Sequence, residues 1–422
     1  MTTTQDQRTE PTAAPRTVAP RLADRLYHDD LVPDEVCEVR AEVRAFAETH
    51  ILPLAREIGS RDEDPAAFPF ELFREMGRAG LLGIPFAESD GGRGLTHPAT
   101  ATVVAIEELA HVSSSIAAVY DVHCILAGHA LTHGSPTLRE AYLRPLVRGE
   151  RIAAFATTEP EASTDLSPSA VRTVAHRDGD DWVVIGRKRF ITNAPVADFV
   201  VVLCRTEGEV LTELVVDLDA PGVHVGPPDR KLGNRGQLTA DIVFDAVRVP
   251  VANTVGEPGR GLAIALASLT RGRIGIAAAG VGLAQSAFDE AVARLLERSA
   301  FGRRIAQFQH WQFTMAERAT ELENARNLYL KAALRLDRGA AVPEPEAAMA
   351  KLYATRLATD LARDAVQAFG GYGFLRELAA DGWSSKVEEL YRDAKIGEIY
   401  EGTNEIQRWI IARRIFGRDV TG

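Results

Sequence analysis

Between about residues 152 and 258 the period of this sequence changes, and that change limits the architectures open to the chain. DWVVIGRKRFITNA, FVVVLCRT, VLTELVVDLD and ADIVFDAVRVP are short runs rich in Val, Ile, Phe and Thr, parted by Gly, Asp, Asn and Pro. They predict strands. On both sides the period is helical. Glu35 to Ala55 places Val36, Val39, Val43, Phe46 and Ile51 on one face. Phe68 to Leu82 repeats the pattern, and Thr96 to Leu131 reads as one or two buried helices. Helices, then strands, then helices, with no βαβ alternation, predict an α+β fold with segregated blocks. The expected divisions are a structureless Thr/Pro/Gln-rich tail over 1–30, a helical domain over 31–151, a β domain over 152–258 and a second helical domain over 259–422.

A chain of 422 residues is too long for one simple core, in line with that division. Its net charge of −11 argues against nucleic acid or an anionic membrane as the main partner, though a local Arg cluster can still bind phosphate. Cys37, Cys124 and Cys204 are far apart and odd in number, so neither a disulfide framework nor a metal site is expected. A reducing cytoplasm is the default compartment. The most apolar run, Ile274 to Ala284, is too short to span a bilayer, and the N-terminus has no apolar segment of the kind a signal peptide needs. His123 and Cys124 read as packed core, and no residue before 151 carries chemistry on its own account.

Gly261 to Arg298 is long enough for a helix of roughly 50 Å. Gly275, Gly280 and Gly282 lie inside it. An interior glycine costs about 1 kcal/mol relative to alanine, so these positions predict another helix packed very closely. Near the C-terminus, Gly402 breaks the helical pattern just after Glu401. Asn404 is the expected cap of the next helix, with Gln407 in capping-box position and Ile406, Trp409, Ile410 and Ile411 as its apolar stripe. Glu401 therefore falls at a helix junction beside apolar surface, a good place for a base, although position alone favours a solvated surface Glu. The loop FATTEPEASTDLS, Phe155 to Ser167, offers hydroxyls and backbone amides to a polar ligand, or is an ordinary turn.

IYEGTNEIQRWIIAR resembles the C-terminal motif of the acyl-CoA dehydrogenases, and motifs in the same order run from about residue 35 to 416. The resemblance implies an N-terminal α-helical domain, a middle β domain and a C-terminal four-helix bundle. It implies Glu401 as the catalytic base, as in short- and medium-chain members. The isovaleryl- and long-chain-type alternative base position aligns with Gly272, which cannot serve. FATTEPEASTD resembles the flavin segment, which implies FAD contacts by Phe155, Thr157, Thr158, Ser163 and Thr164, with Ser163 standing where Gly is usual. RFITNA implies Phe190, Ile191 and Thr192 over the flavin. ERSAFG implies Arg298 and Phe301 toward the FAD of a neighbouring subunit, and QAFGGYG implies Gln367, Gly370 and Gly371 there. Thr403 and Glu405 map to further flavin contacts, and Thr164, Arg273, Tyr400 and Gly402 to the substrate side. The implied reaction is α,β-dehydrogenation of an acyl-CoA thioester, with electron-transferring flavoprotein as acceptor and a homotetramer as the usual assembly. An acyl group on a carrier protein, a flavin-dependent monooxygenase and a flavin-free binding protein are the alternatives. Asp381 to Ser385 looks like an insertion, either at the pocket mouth or, by preference, a surface loop.

Overall fold

The computed structural model describes residues 19–29, 32–162, 164–340 and 342–421. The helices that matter here are α1 (Asp34–Phe46), α2 (Pro98–Val112), α3 (Ser114–Tyr120), α4 (Gly261–Glu297), α5 (Gln309–Asp337), α6 (Glu344–Phe369), α7 (Val387–Ala394) and α8 (Asn404–Phe416). The strands are β1 (Ala153–Ala156), β2 (Val174–Asp178), β3 (Asp181–Thr192), β4 (Phe199–Thr206), β5 (Val210–Asp217), β6 (Val223–Val225), β7 (Thr239–Pro250) and β8 (Thr254–Val255). They form one sheet in the order β6-β7-β3-β2-β4-β5-β8, with β1 parallel to β4.

Strand β4 explains how the blocks join. FVVVLC has no polar alternation because both of its faces are buried. Phe199, Val201 and Leu203 face the core shared with the helices, while Val200, Val202 and Cys204 face the core inside the β block. The sheet is thus bolted to the helical layer by odd-numbered side chains of one strand.

The glycines of α4 behave as their spacing predicted. A Cβ at Gly282 would collide with the carbonyl oxygen of Glu107 on α2, and one at Gly280 would lie 3.3 Å from the backbone of Ala354 on α6. Helix α4 is the central element, packed against α2, α5 and α6. It is also long and apolar enough to cross a membrane, which the short apolar run Ile274 to Ala284 did not suggest, but 67% of its most apolar window is buried inside the protein.

One expectation needs correction. The structureless tail over 1–30 does not hold for residues 19–29. A short helix, Ala23–Leu26, forms there, the Arg21 guanidinium pairs with the buried Glu108, and the Tyr27 hydroxyl donates to the Ala319 carbonyl at 2.8 Å. Composition misled because two anchoring side chains suffice to fix a polar segment. Residues 1–18 lie outside the described residues. The stretch Thr96 to Leu131 forms two buried helical segments, within the one or two expected. Ser113 breaks it, capping α3 through its hydroxyl, and Asp121–Gly128 continues as a π-helical stretch. Such π-helical turns gather at functional sites. His123 and Cys124 are core residues as expected, with the His123 ring spanning the Leu146 carbonyl and the Ala153 N–H.

Candidate active site

A cavity of about 1390 Å³ opens between the sheet, α4 and the start of α8. Its β wall comes from the loop after β1 and the end of β3. The loop is held down by a buried ion pair, Lys188 Nζ to Glu159 Oε1 at 2.8 Å, while Glu159 also accepts the N–H groups of Arg172 and Thr173. Phe155, Thr157, Thr158 and Thr164 then line the cavity. Ser163 lies outside the described residues. On β3 the register with β7 slips between Lys188 and Ile191. This bulge leaves Phe190 with a left-handed φ of 60° and 60% exposed at the cavity, beside Ile191 and Thr192. A bulge re-aims a side chain, here a bulky aromatic that would otherwise lie on the sheet face.

The opposite wall carries Glu401. Lys395–Glu398 is a single tight helical turn, and α8 starts at Asn404, so Glu401 does sit at a helix junction. The cap, however, is Thr403, whose hydroxyl accepts the Ile406 N–H at 3.4 Å. Asn404 is instead buried, bonded to Lys351 and Thr355, and Gln407 donates to the Gly402 carbonyl at 2.7 Å rather than closing a capping box. The one-residue shift arises because Asn404 is used by α6. In the apolar stripe of α8 only Ile410 is fully buried, whereas Ile406, Trp409 and Ile410 face the cavity.

Glu401 has a φ of +54°, a strained conformation for a residue with a side chain. The Gly402 carbonyl is pinned from two sides, by Gln407 and by Lys351 Nζ at 2.9 Å, which holds the turn. The Glu401 N–H has no acceptor among the described residues. Its Oε2 is buried and likewise without a hydrogen-bond partner. A Cβ at Gly272 on α4 would lie 2.7 Å from that oxygen. Gly272, which stands at the alternative base position and cannot itself serve as a base, thus occupies the spot against which the Glu401 carboxyl rests. Burial pushes the Glu401 carboxyl up to about 7, and the cations Arg273 and Lys351 hold it back from going further. The same burial brings the Lys351 amino group down to about 7, opposed chiefly by Glu401.

Arg273, Tyr400, Gly402, Thr403 and Glu405 all line the cavity with Glu401. Arg298, Phe301, Gln367, Gly370 and Gly371 do not. They lie on the surface, and Phe301 is 95% exposed at the tip of a two-residue hairpin turn. Asp381 to Ser385 is also away from the cavity. Trp383 stacks edge-on to Tyr372 at 5.5 Å and its carbonyl accepts the Leu378 N–H, which makes the segment an ordered surface loop.

Sequence reasoning missed two groups. Asp121 lines the cavity, is 1% exposed, and carries two carboxyl oxygens without a partner. Burial and then the Glu401 charge raise its pKa well above the carboxylate range. The available signal was an acid inside the apolar run IAAVYDVHCILAG. Lys351 in AMAKLYA gave a similar signal on α6.

Three family models match successive stretches of the chain: the acyl-CoA dehydrogenase N-terminal domain over 33–150, the middle domain over 154–247 and the C-terminal domain over 259–416. The chain belongs to the acyl-CoA dehydrogenase family. A short-chain-specific acyl-CoA dehydrogenase of Clostridium acetobutylicum is 39% identical over 383 residues, covering 90% of this chain and 97% of that one. A caffeyl-CoA reductase–Etf complex subunit of Acetobacterium woodii is 37% identical, covering 89% and 96%. A solved glutaryl-CoA dehydrogenase of Mycobacterium smegmatis in complex with FADH2 is similar with a TM-score of 0.85 at 26% identity, covering 95% and 99%. Acyl-CoA dehydrogenases are flavin-dependent oxidoreductases, and the helical, β and helical order found here is their domain order.

Proposed function

We propose that the protein binds FAD and converts an acyl-CoA thioester to the trans-2-enoyl thioester, with Glu401 as the base. The observation that carries the assignment is the unpaired, buried Oε2 of Glu401 in the same cavity as the hydroxyl-bearing loop and Phe190. Flavin fits the donor set on the β wall. Thr157, Thr158 and Thr164 offer hydroxyls, Phe190 an aromatic cover, and a volume of about 1390 Å³ exceeds the roughly 300–1,000 Å³ of ordinary ligand pockets. Bound flavin would supply the acceptor for the hydride leaving the β-carbon.

The rest of the chemistry falls to this chain. A thioester α-proton is weakly acidic, so its removal needs a strong base and a stabilised enolate oxygen. Desolvation makes the Glu401 carboxylate a better base than one in water. The free N–H of the same residue is a donor for the thioester carbonyl oxygen. Base and donor on one residue keep their spacing fixed by covalent geometry, and the strained turn is rigid because Lys351 and Gln407 pin it. Leu126, Leu266 and Leu269 line the cavity with apolar surface suited to an acyl chain.

Arg298, Phe301, Gln367, Gly370 and Gly371 lie away from their own chain's cavity, which supports the reading that they serve the FAD of a neighbouring copy in a tetramer. An electron-transferring flavoprotein as the acceptor is supported by the relative that forms a complex with Etf. Three free cysteines, two of them buried, fit a reducing compartment such as the cytoplasm.

The test is an anaerobic titration of the flavin-loaded protein with straight, branched and aryl acyl-CoAs. Bleaching of the flavin band by one class is expected, slowed about 10²–10⁴-fold in Glu401→Gln with flavin retained. Bound flavin that no CoA ester bleaches would shift the substrate to a carrier-borne thioester or the chemistry to oxygen activation. A protein that takes up no flavin would leave only the binding-protein reading.

A further inference from the structure

We propose that Asp121 makes this cavity selective for acyl thioesters bearing a hydroxyl or another uncharged hydrogen-bonding group at the γ-carbon or beyond. The inference rests on the dehydrogenase reading above and names its substrate class. Helix α4 passes both acids. Gly272 faces Glu401, and one turn further on Gly275 faces Asp121, where a Cβ would collide with Oδ1. A spacing of three residues is about 4.5 Å along a helix axis. The two carboxyl groups therefore sit one turn apart, each given its room by a glycine, and both line the same cavity.

Apart from Glu401, the Tyr120 and Tyr400 hydroxyls and the Cys124 thiol, which lie near enough to interact with its charge, the surroundings of Asp121 are apolar. Ile106 and Ile125 approach the same point of Gly275, and Ala118, Val122 and Leu126 line the adjoining wall. Both carboxyl oxygens are buried, and neither has a hydrogen-bond partner among the described residues. An acyl chain of plain methylenes would fill the space and leave them so. Leaving a buried polar group unpaired costs its full desolvation, whereas a partner recovers it. Sites with such a group reject the ligand that lacks the partner far more strongly than an apolar pocket rejects one methylene.

The α-carbon must meet Glu401 and the β-carbon must give up a hydride, so the partner has to come later in the chain. Burial and then the Glu401 charge push the Asp121 carboxyl up, toward the form that both donates and accepts, which complements a hydroxyl. A chain ending in a carboxylate would bring another anion beside Glu401 and is disfavoured.

The test measures kcat/KM on the flavin-loaded full chain for butyryl-, 4-hydroxybutyryl-, hexanoyl-, 6-hydroxyhexanoyl- and glutaryl-CoA, with anaerobic bleaching as an independent readout. At one chain length or more the hydroxy ester should exceed its plain counterpart at least tenfold, and glutaryl-CoA should trail. Asp121→Leu should reverse the preference by raising activity on the plain ester. Asp121→Asn, which keeps a donor and an acceptor, should retain it, and it decides the matter together with the wild-type ratio if the Leu variant fails to fold. A wild-type protein that favours plain chains at every length, favours glutaryl-CoA, or keeps its preference in Asp121→Leu would overturn the proposal while leaving the dehydrogenase intact. Bleaching by none of the thioesters would overturn both.

Discussion

The Glu401 turn and the Phe301 hairpin contrast in how the chain supports them. Both contain a non-glycine residue with positive φ followed by a glycine, Glu401–Gly402 and Phe301–Gly302. At the first, α4, α6 and α8 of the same chain close around the strained residue. At the second, the side chain is almost fully exposed, and its support within the chain is a two-residue ribbon and an edge-on contact with Phe308 at 6.4 Å. A strained residue persists where its surroundings over-determine it. The Glu401 turn is therefore completed by its own fold. We read the hairpin as completed by a second copy, with Arg298 and Phe301 brought to a flavin that the first chain does not surround.

The sharpest way to break that contrast is to disturb the packing that supports Glu401. In Gly272→Ala the new Cβ would displace the carboxylate, and a misplacement of about 1 Å can cost about 100-fold in rate. Stopped-flow flavin reduction should show that loss, with flavin content unchanged. A variant with unaltered reduction would show that the carboxylate has room to move aside.

Arg298→Ala tests the other region. Flavin affinity should fall about tenfold, the worth of one charge-assisted contact, while Glu401→Gln leaves it unaltered. Sedimentation and flavin occupancy together check this, and a fully flavinated Arg298→Ala would remove the arginine from the cofactor site.

The smallest effect expected is on pH dependence. With Glu401 as the proposed base, proton abstraction requires its ionised form, so kcat/KM should rise with pH through about 7, where burial has placed that carboxyl. Removing a neighbouring cation disfavours the anion, so Lys351→Met should move the rise to higher pH by about 1 pH unit. A profile that stays put would mean that Lys351 acts only by holding the Gly402 carbonyl.

Most of the architecture was legible in the sequence because it rests on periodicity. The strand block, the long α4 and its glycine contacts all appeared where the pattern put them. Within the site, the candidates near Glu401 and in the Phe155 and Phe190 segments came together in one cavity. The errors were of another kind. Asn404 looked like a cap but is bonded to α6, leaving Thr403 to cap α8. Residues 19–29 looked structureless but are anchored by Arg21 and Tyr27 to partners about 87 and 292 positions away.

The sequence alone determined the order of blocks, the helix junction at Glu401 and the absence of a base at position 272. Those follow from local period, from turn residues and from residue identity. Only the tertiary structure decided that Gly272 and Gly275 make room for two carboxyl groups, that Asp121 shares the cavity of Glu401, and that Lys351 steadies the Glu401 turn. Burial and charge proximity depend on which distant segments meet, and a one-dimensional pattern does not encode that distance.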